Sequence, residues 1–123
     1  MSVQGLKELK ANIKAHKAAT AKGIRKGLYK AGLFLQRESM KIVPIDTGVL
    51  RASAATRAEG KGFDTAVIVS YGTDYGVYVH EDLEASHKPG KRAKFLEQPL
   101  RDNREKIAQI VRDEIEKEGG AVL

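Results

Sequence analysis

Ser53-Ala54-Ala55-Thr56-Arg57-Ala58-Glu59-Gly60-Lys61-Gly62-Phe63-Asp64-Thr65-Ala66-Val67-Ile68-Val69-Ser70-Tyr71 is the stretch that decides the fold. Val67, Ile68 and Val69 make a β-branched run inside Thr65–Tyr71, which predicts a strand. Ser53–Glu59, mostly Ala, Thr and Ser, predicts a weaker one. Glu59-Gly60-Lys61-Gly62 supplies turn residues between them, so the two runs read as a hairpin. After Tyr71-Gly72-Thr73-Asp74 comes a small aromatic segment, Tyr75-Gly76-Val77-Tyr78-Val79. His80–Lys94 is polar, carries a Pro89-Gly90 turn signal, and is expected to be a long exposed loop. Residues 44–93 are therefore expected to hold strands and loops.

Helical patterns flank this hairpin. Leu6, Leu9, Ile13, Ile24, Leu28, Ala31, Leu35 and Ile42 fall within an arc of about 100° at helical spacing. Residues 1–43 thus read as one long basic helix, with a bend or break expected near 19–23. Gly23, Gly27 and Gly32 each cost about 1 kcal/mol against Ala in a helix interior, unless they mark close approach of another helix. Pro44 forces a stop, because the residue before a proline avoids the helical region. Residues 94–118 read as a single C-terminal helix. Leu100, Ile107, Val111 and Ile115 line one face, Pro99 is expected at the first helical position, and Gly119-Gly120 ends the pattern. The order predicts an α+β fold: a long N-terminal helix, a small antiparallel sheet, an irregular loop and a C-terminal helix packed on one face. Residues 1–123 are expected to form a single domain.

The 123 residues carry 22 Lys or Arg against 16 acids, and the excess is local. Residues 1–43 hold ten bases against Glu8 and Glu38, a net +8, while the rest is near neutral. Lys7, Lys10, Lys14, Lys17 and Arg25 lie along one flank of the apolar stripe and are the candidates for meeting an anionic partner, DNA or an acidic protein face. The apolar stripe beside them also needs cover, which DNA does not provide. The alternative is a merely solvated helix face. Without cysteine, disulfides, thiol catalysis and Cys-based zinc sites are excluded. No run approaches the roughly 20 apolar residues of a membrane span, and Met1-Ser2-Val3-Gln4-Gly5 lacks the apolar region of a secretory signal. No membrane association is expected.

Candidate chemistry is thin. Asp46-Thr47-Gly48 matches the aspartic-protease triplet, but it follows a long helical segment and has no strand-rich partner half, so a turn with a capping side chain is the better reading. His80, Glu81, Asp82 and His87 could offer metal ligands, yet lack the paired-histidine spacing of helical zinc sites. Ser39, Ser53 and Ser70 have no evident base. Tyr71, Tyr75 and Tyr78, with Phe63 and Phe95, either pack the sheet or anchor an interface. No enzymatic activity, cofactor or metal is expected.

Three runs resemble one family. Ile42-Val43-Pro44-Ile45-Asp46-Thr47-Gly48-Val49-Leu50-Arg51-Ala52-Ser53 is similar to its "vPvDTGxLrxS" signature. Tyr71-Gly72-Thr73-Asp74-Tyr75-Gly76-Val77-Tyr78-Val79-His80-Glu81 resembles its "Y…YaxyvHe" segment, with Gly76 where the family more often has Ala. Ala93-Lys94-Phe95-Leu96-Glu97-Gln98-Pro99-Leu100 resembles its "aKFLexPl" segment. The family is that of neck proteins of long-tailed bacteriophages, variously described as tail-completion, head–tail joining, minor capsid or minor tail proteins. The resemblance covers about residues 40–100. It implies a structural virion protein, assembled in the bacterial host cytoplasm. Such a protein forms a cyclic homo-oligomer, six- or twelve-fold, between a head-side connector or portal-associated protein and a tail-side terminator or tube protein. Non-specific contact with packaged DNA is compatible with that place. The resemblance implies a structural role for Pro44, Asp46, Thr47, Gly48, Leu50 and Arg51, and makes Tyr71, Tyr75, Tyr78, His80, Glu81, Phe95 and Leu96 interface candidates. The alternative from another class is a basic DNA-binding protein without catalysis.

Overall fold

A computed structural model of the chain describes residues 3–43, 51–72, 75–79, 85–86 and 94–120. The first element is a single helix, α1, Val3–Met40. Four strands follow: β1 (Ala54–Glu59), β2 (Ala66–Tyr71), β3 (Tyr75–Val79) and β4 (Ala85–Ser86). Two helices close the described chain, α2 (Lys94–Asp102) and α3 (Arg104–Lys117). The strands form one antiparallel meander in the order β1-β2-β3-β4. The fold is α+β, as the helix–hairpin–helix pattern predicts.

The hairpin pairs Ala54 with Tyr71 and Glu59 with Ala66. Its connection is a 3-10 turn at Gly62–Asp64, where Thr65 Oγ1 donates to the Gly62 carbonyl at 2.7 Å. Alternation along β2 sends Val67, Val69 and Tyr71 to one face, where Leu28 and Leu35 of α1 and Leu96 and Leu100 of α2 complete a buried cluster. Thr56 of β1 ties the sheet to α1 by donating to Gln36 Oε1 at 2.7 Å.

Three expectations need correction. No break occurs near residues 19–23: α1 is one continuous helix through them. The glycines that weaken it locally are required by α3, which runs antiparallel across that point. A Cβ on Gly23 would stand 2.5 Å from Ile115 Cα, and one on Gly27 2.8 Å from Val111 Cα. Tertiary packing restores what propensity takes away. Second, the C-terminal segment is two helices. Pro99 stands inside α2 rather than at a helix start. The Asn103 side-chain amide and backbone N–H both donate to the Pro99 carbonyl, at 2.8 and 3.0 Å, and α3 restarts from Asn103. A side chain competing for a helical carbonyl is a known cause of such breaks. Third, the polar segment 80–94 contains a short strand, β4, paired with β3. Residues 80–84 and 87–93 lie outside the described residues, and Lys94 opens α2.

α3 ends in a Schellman arrangement. The Gly119 N–H donates to the Glu116 carbonyl and the Gly120 N–H to the Ile115 carbonyl, with Gly119 at φ +80°. Gly120 is pressed on Thr20: a Cβ there would lie 2.6 Å from Thr20 Cα. Among the described residues, Thr20 therefore marks where cover from α3 and its C-terminal cap stops. At 1.5 Å per residue, α1 is about 57 Å long and α3 about 21 Å.

Candidate functional site

The apolar stripe of α1 changes character along its length. Ile24, Leu28, Ala31 and Leu35 are buried, whereas Leu6, Leu9 and Ile13 are 44%, 43% and 58% exposed. Ile42 is also exposed. The expectation that the whole stripe finds cover is thus met only from Ile24 to Leu35. The reason is one of length: α3 spans about four turns of a helix that has more than ten. Phe63, from the hairpin turn, stands beside the turns of α1 that run from Asn12 to Thr20, just before the part covered by α3. With Asn12, Ile13, His16, Lys17 and Thr20 it lines a shallow groove, mostly apolar.

Lys7, Lys10, Lys14 and Lys17 are exposed on this open segment. Arg25, the fifth basic candidate, is engaged differently: its Nη1 donates to the Gly60 carbonyl at 2.5 Å, clamping the hairpin turn to α1. A second row of lysines faces α3. Lys22 and Lys26 meet Glu118 at 3.4 and 2.8 Å, and Lys30 and Lys117 pair with Glu114. The Lys30 hydrogen bond, followed by that of Lys117, holds the Glu114 carboxyl below the usual glutamate value against an opposing effect of burial. Glu118 is lowered in the same way, by Lys26 first and Lys22 after it, and the Lys26 ammonium is correspondingly raised.

The interface candidates separate. Tyr71 is fully buried, and its hydroxyl donates to Ser39 Oγ at 2.9 Å. Burial pushes its hydroxyl above the ordinary tyrosine value, partly offset by the Ser39 hydrogen bond and the nearby charge of Arg51. Leu96 is also fully buried, and half-buried Phe95 meets the Tyr71 ring edge-on at a centroid distance of 4.9 Å. Tyr71 and Leu96 are therefore core residues and not interface residues. Strand alternation in β2 and the helical register of α2 both point them inward. Tyr75 and Tyr78 lie on β3, paired with Tyr71 and Ile68. His80 and Glu81 lie outside the described residues, as do Asp82 and His87. Of the proposed structural motif, Pro44, Asp46, Thr47, Gly48 and Leu50 also lie outside them. Arg51, half-buried, is helical just before β1.

Reading the sequence for charge missed Lys22, Lys26 and Lys30 as partners of α3, and Leu6, Leu9, Ile13 and Phe63 as an open apolar surface. The signal was present: a helical pattern of about 40 residues cannot be covered by one of about 20. None of the described helices is long and apolar enough to cross a membrane. No family model matches the chain, and no curated protein or solved structure matches it.

Proposed function

We propose that the protein is a structural component of the bacteriophage neck, joining the head-side connector to the tail. The observation that carries this reading is the order and spacing of three family-like runs between residues 42 and 100. Two features of the fold support a role in assembly. Among the described residues β1 pairs on one side only, with β2, so its outer edge is available to a neighbouring copy in a ring. α1 also extends well beyond the cover that the other described elements give it. Both suit a protein whose function is to hold neighbours together, with no catalysis required of Asp46 or any other side chain. Deleting the gene in the phage that encodes the protein tests the reading. DNA-filled heads and complete tails that remain separate are expected, with joining restored by the protein supplied in trans. Normal yields of infectious, tailed particles would contradict it.

A further inference from the structure

We propose that the open N-terminal segment of α1 is a docking site for an acidic amphipathic helix of another protein. The apolar stripe of that helix would cover Leu6, Leu9 and Ile13, and its carboxylates would meet Lys10, Lys14 and Lys17. This goes beyond the neck assignment and does not depend on it.

The template is the contact between α1 and α3 within the same chain. There Ile24 and Leu28 of α1 and Val111 and Ile115 of α3 belong to one buried cluster, flanked by the pairs of Lys22 and Lys26 with Glu118 and of Lys30 with Glu114. An apolar seam is bordered by lysines on one helix and glutamates on the other. N-terminal to Thr20 the same helix presents the same surface with no covering helix among the described residues: three large aliphatic side chains near half exposure, lysines beside them, and Phe63 closing the inner end. The distance from Leu6 to Thr20 is about 21 Å along the axis, the length of α3 itself.

Charge selects the occupant. The open segment carries Lys7, Lys10, Lys14 and Lys17 against one acid, Glu8. Two copies pairing through this segment would place lysines against lysines, which is repulsive. The apolar face of a second copy's α3 is already buried on its own α1. DNA satisfies the lysines but leaves Leu9 and Ile13 in water, whereas burying an aliphatic side chain is worth about 1.5–3 kcal/mol. An acidic helix with an apolar stripe satisfies both.

The test is a fluorescence anisotropy titration of the full chain into a labelled helical peptide of about 18 residues, or about 27 Å. Its leucines are spaced three and four apart and flanked by glutamates. Three further probes are the same peptide with lysines for glutamates, the same peptide with serines for leucines, and a short DNA duplex. Saturable one-to-one binding of the acidic amphipathic peptide is expected, with the other three markedly weaker. Leu9→Ala with Ile13→Ala should weaken it at least about tenfold. Lys10→Glu, Lys14→Glu and Lys17→Glu together should weaken it as much and shift preference to the lysine peptide. All these side chains are exposed, so unchanged melting temperatures will verify that the variants fold. Absence of saturable binding, equal binding of the serine peptide or DNA, or insensitivity to both sets of variants would overturn the proposal. So would sedimentation showing a dimer that Leu9→Ala with Ile13→Ala dissolves, since a second copy would then be the occupant. None of these outcomes bears on whether the protein resides in the neck, which the deletion phenotype decides separately.

Discussion

Gly23 and Gly27 show how single positions set the packing of α1 on α3. In an isolated helix, replacing either by Ala gains about 1 kcal/mol of propensity. Here the added methyl would fall within 2.8 Å of a backbone Cα on α3, and backbone cannot yield as a side-chain tip can. Overpacking of this kind costs about 1–3 kcal/mol. Gly23→Ala with Gly27→Ala is therefore expected to lower stability by a net amount of about 2 kcal/mol in urea denaturation; a midpoint at or above the parent's would show that α3 is not held this close. Tyr71 makes the complementary case for a buried polar contact. Tyr71→Phe keeps the ring against Phe95 but leaves Ser39 Oγ without its donor, and a loss of about 1–2 kcal/mol is expected by the same measurement.

Carboxylates couple α3 to α1 at the scale of whole elements. Glu114 and Glu118 hold their protons less tightly when folded than when unfolded, because lysines of α1 stabilise the charged form. The folded state then binds fewer protons than the unfolded state around the ordinary glutamate value, about 4.3. Their contribution is fully present above that value and is lost as pH falls through the lowered, folded-state values. The melting temperature should fall on acidification through this window, and Glu114→Gln with Glu118→Gln should flatten the fall. An identical pH profile in parent and variant would show that the pairs are only surface contacts. At this scale much of the fold was legible. The β-branched run 67–69 and the turn glycines 60 and 62 place the hairpin, and the stripe places α1. The split at Asn103 was not legible, because it depends on which carbonyl a side-chain amide reaches. The exposure of Leu6, Leu9 and Ile13 was hidden for a related reason: periodicity identifies the apolar face of a helix but not how much of it another element covers. Tyr71 and Leu96 were assigned to an interface because aromatic and aliphatic residues serve cores and interfaces alike. Only the β2 register and the packing of α2 distinguish the two.

Across the whole molecule, charge and apolar surface are distributed together. Of the ten bases in residues 1–43, Lys22, Lys26 and Lys30 pair with the α3 end and Lys7, Lys10, Lys14 and Lys17 stand on the open half of α1, so one helix serves both the internal core and an outward face. With the edge of β1 that has no strand partner among the described residues, the molecule has two surfaces proposed for different kinds of neighbour: a backbone edge for another copy and a basic, apolar helix for an acidic partner. That division is consistent with the proposed joining role. Lys7→Glu, Lys10→Glu, Lys14→Glu and Lys17→Glu together should impair head-to-tail joining while leaving the isolated protein's melting temperature near the parent's, as measured by counting joined particles in electron micrographs. Cryo-electron microscopy of the neck in purified particles is the most direct measurement of the proposed role. It should show a ring of copies of this chain between the head connector and the tail, with α1 of each copy reaching an adjoining component. Density for the chain in the capsid shell, or its absence from the particle, would contradict the assignment.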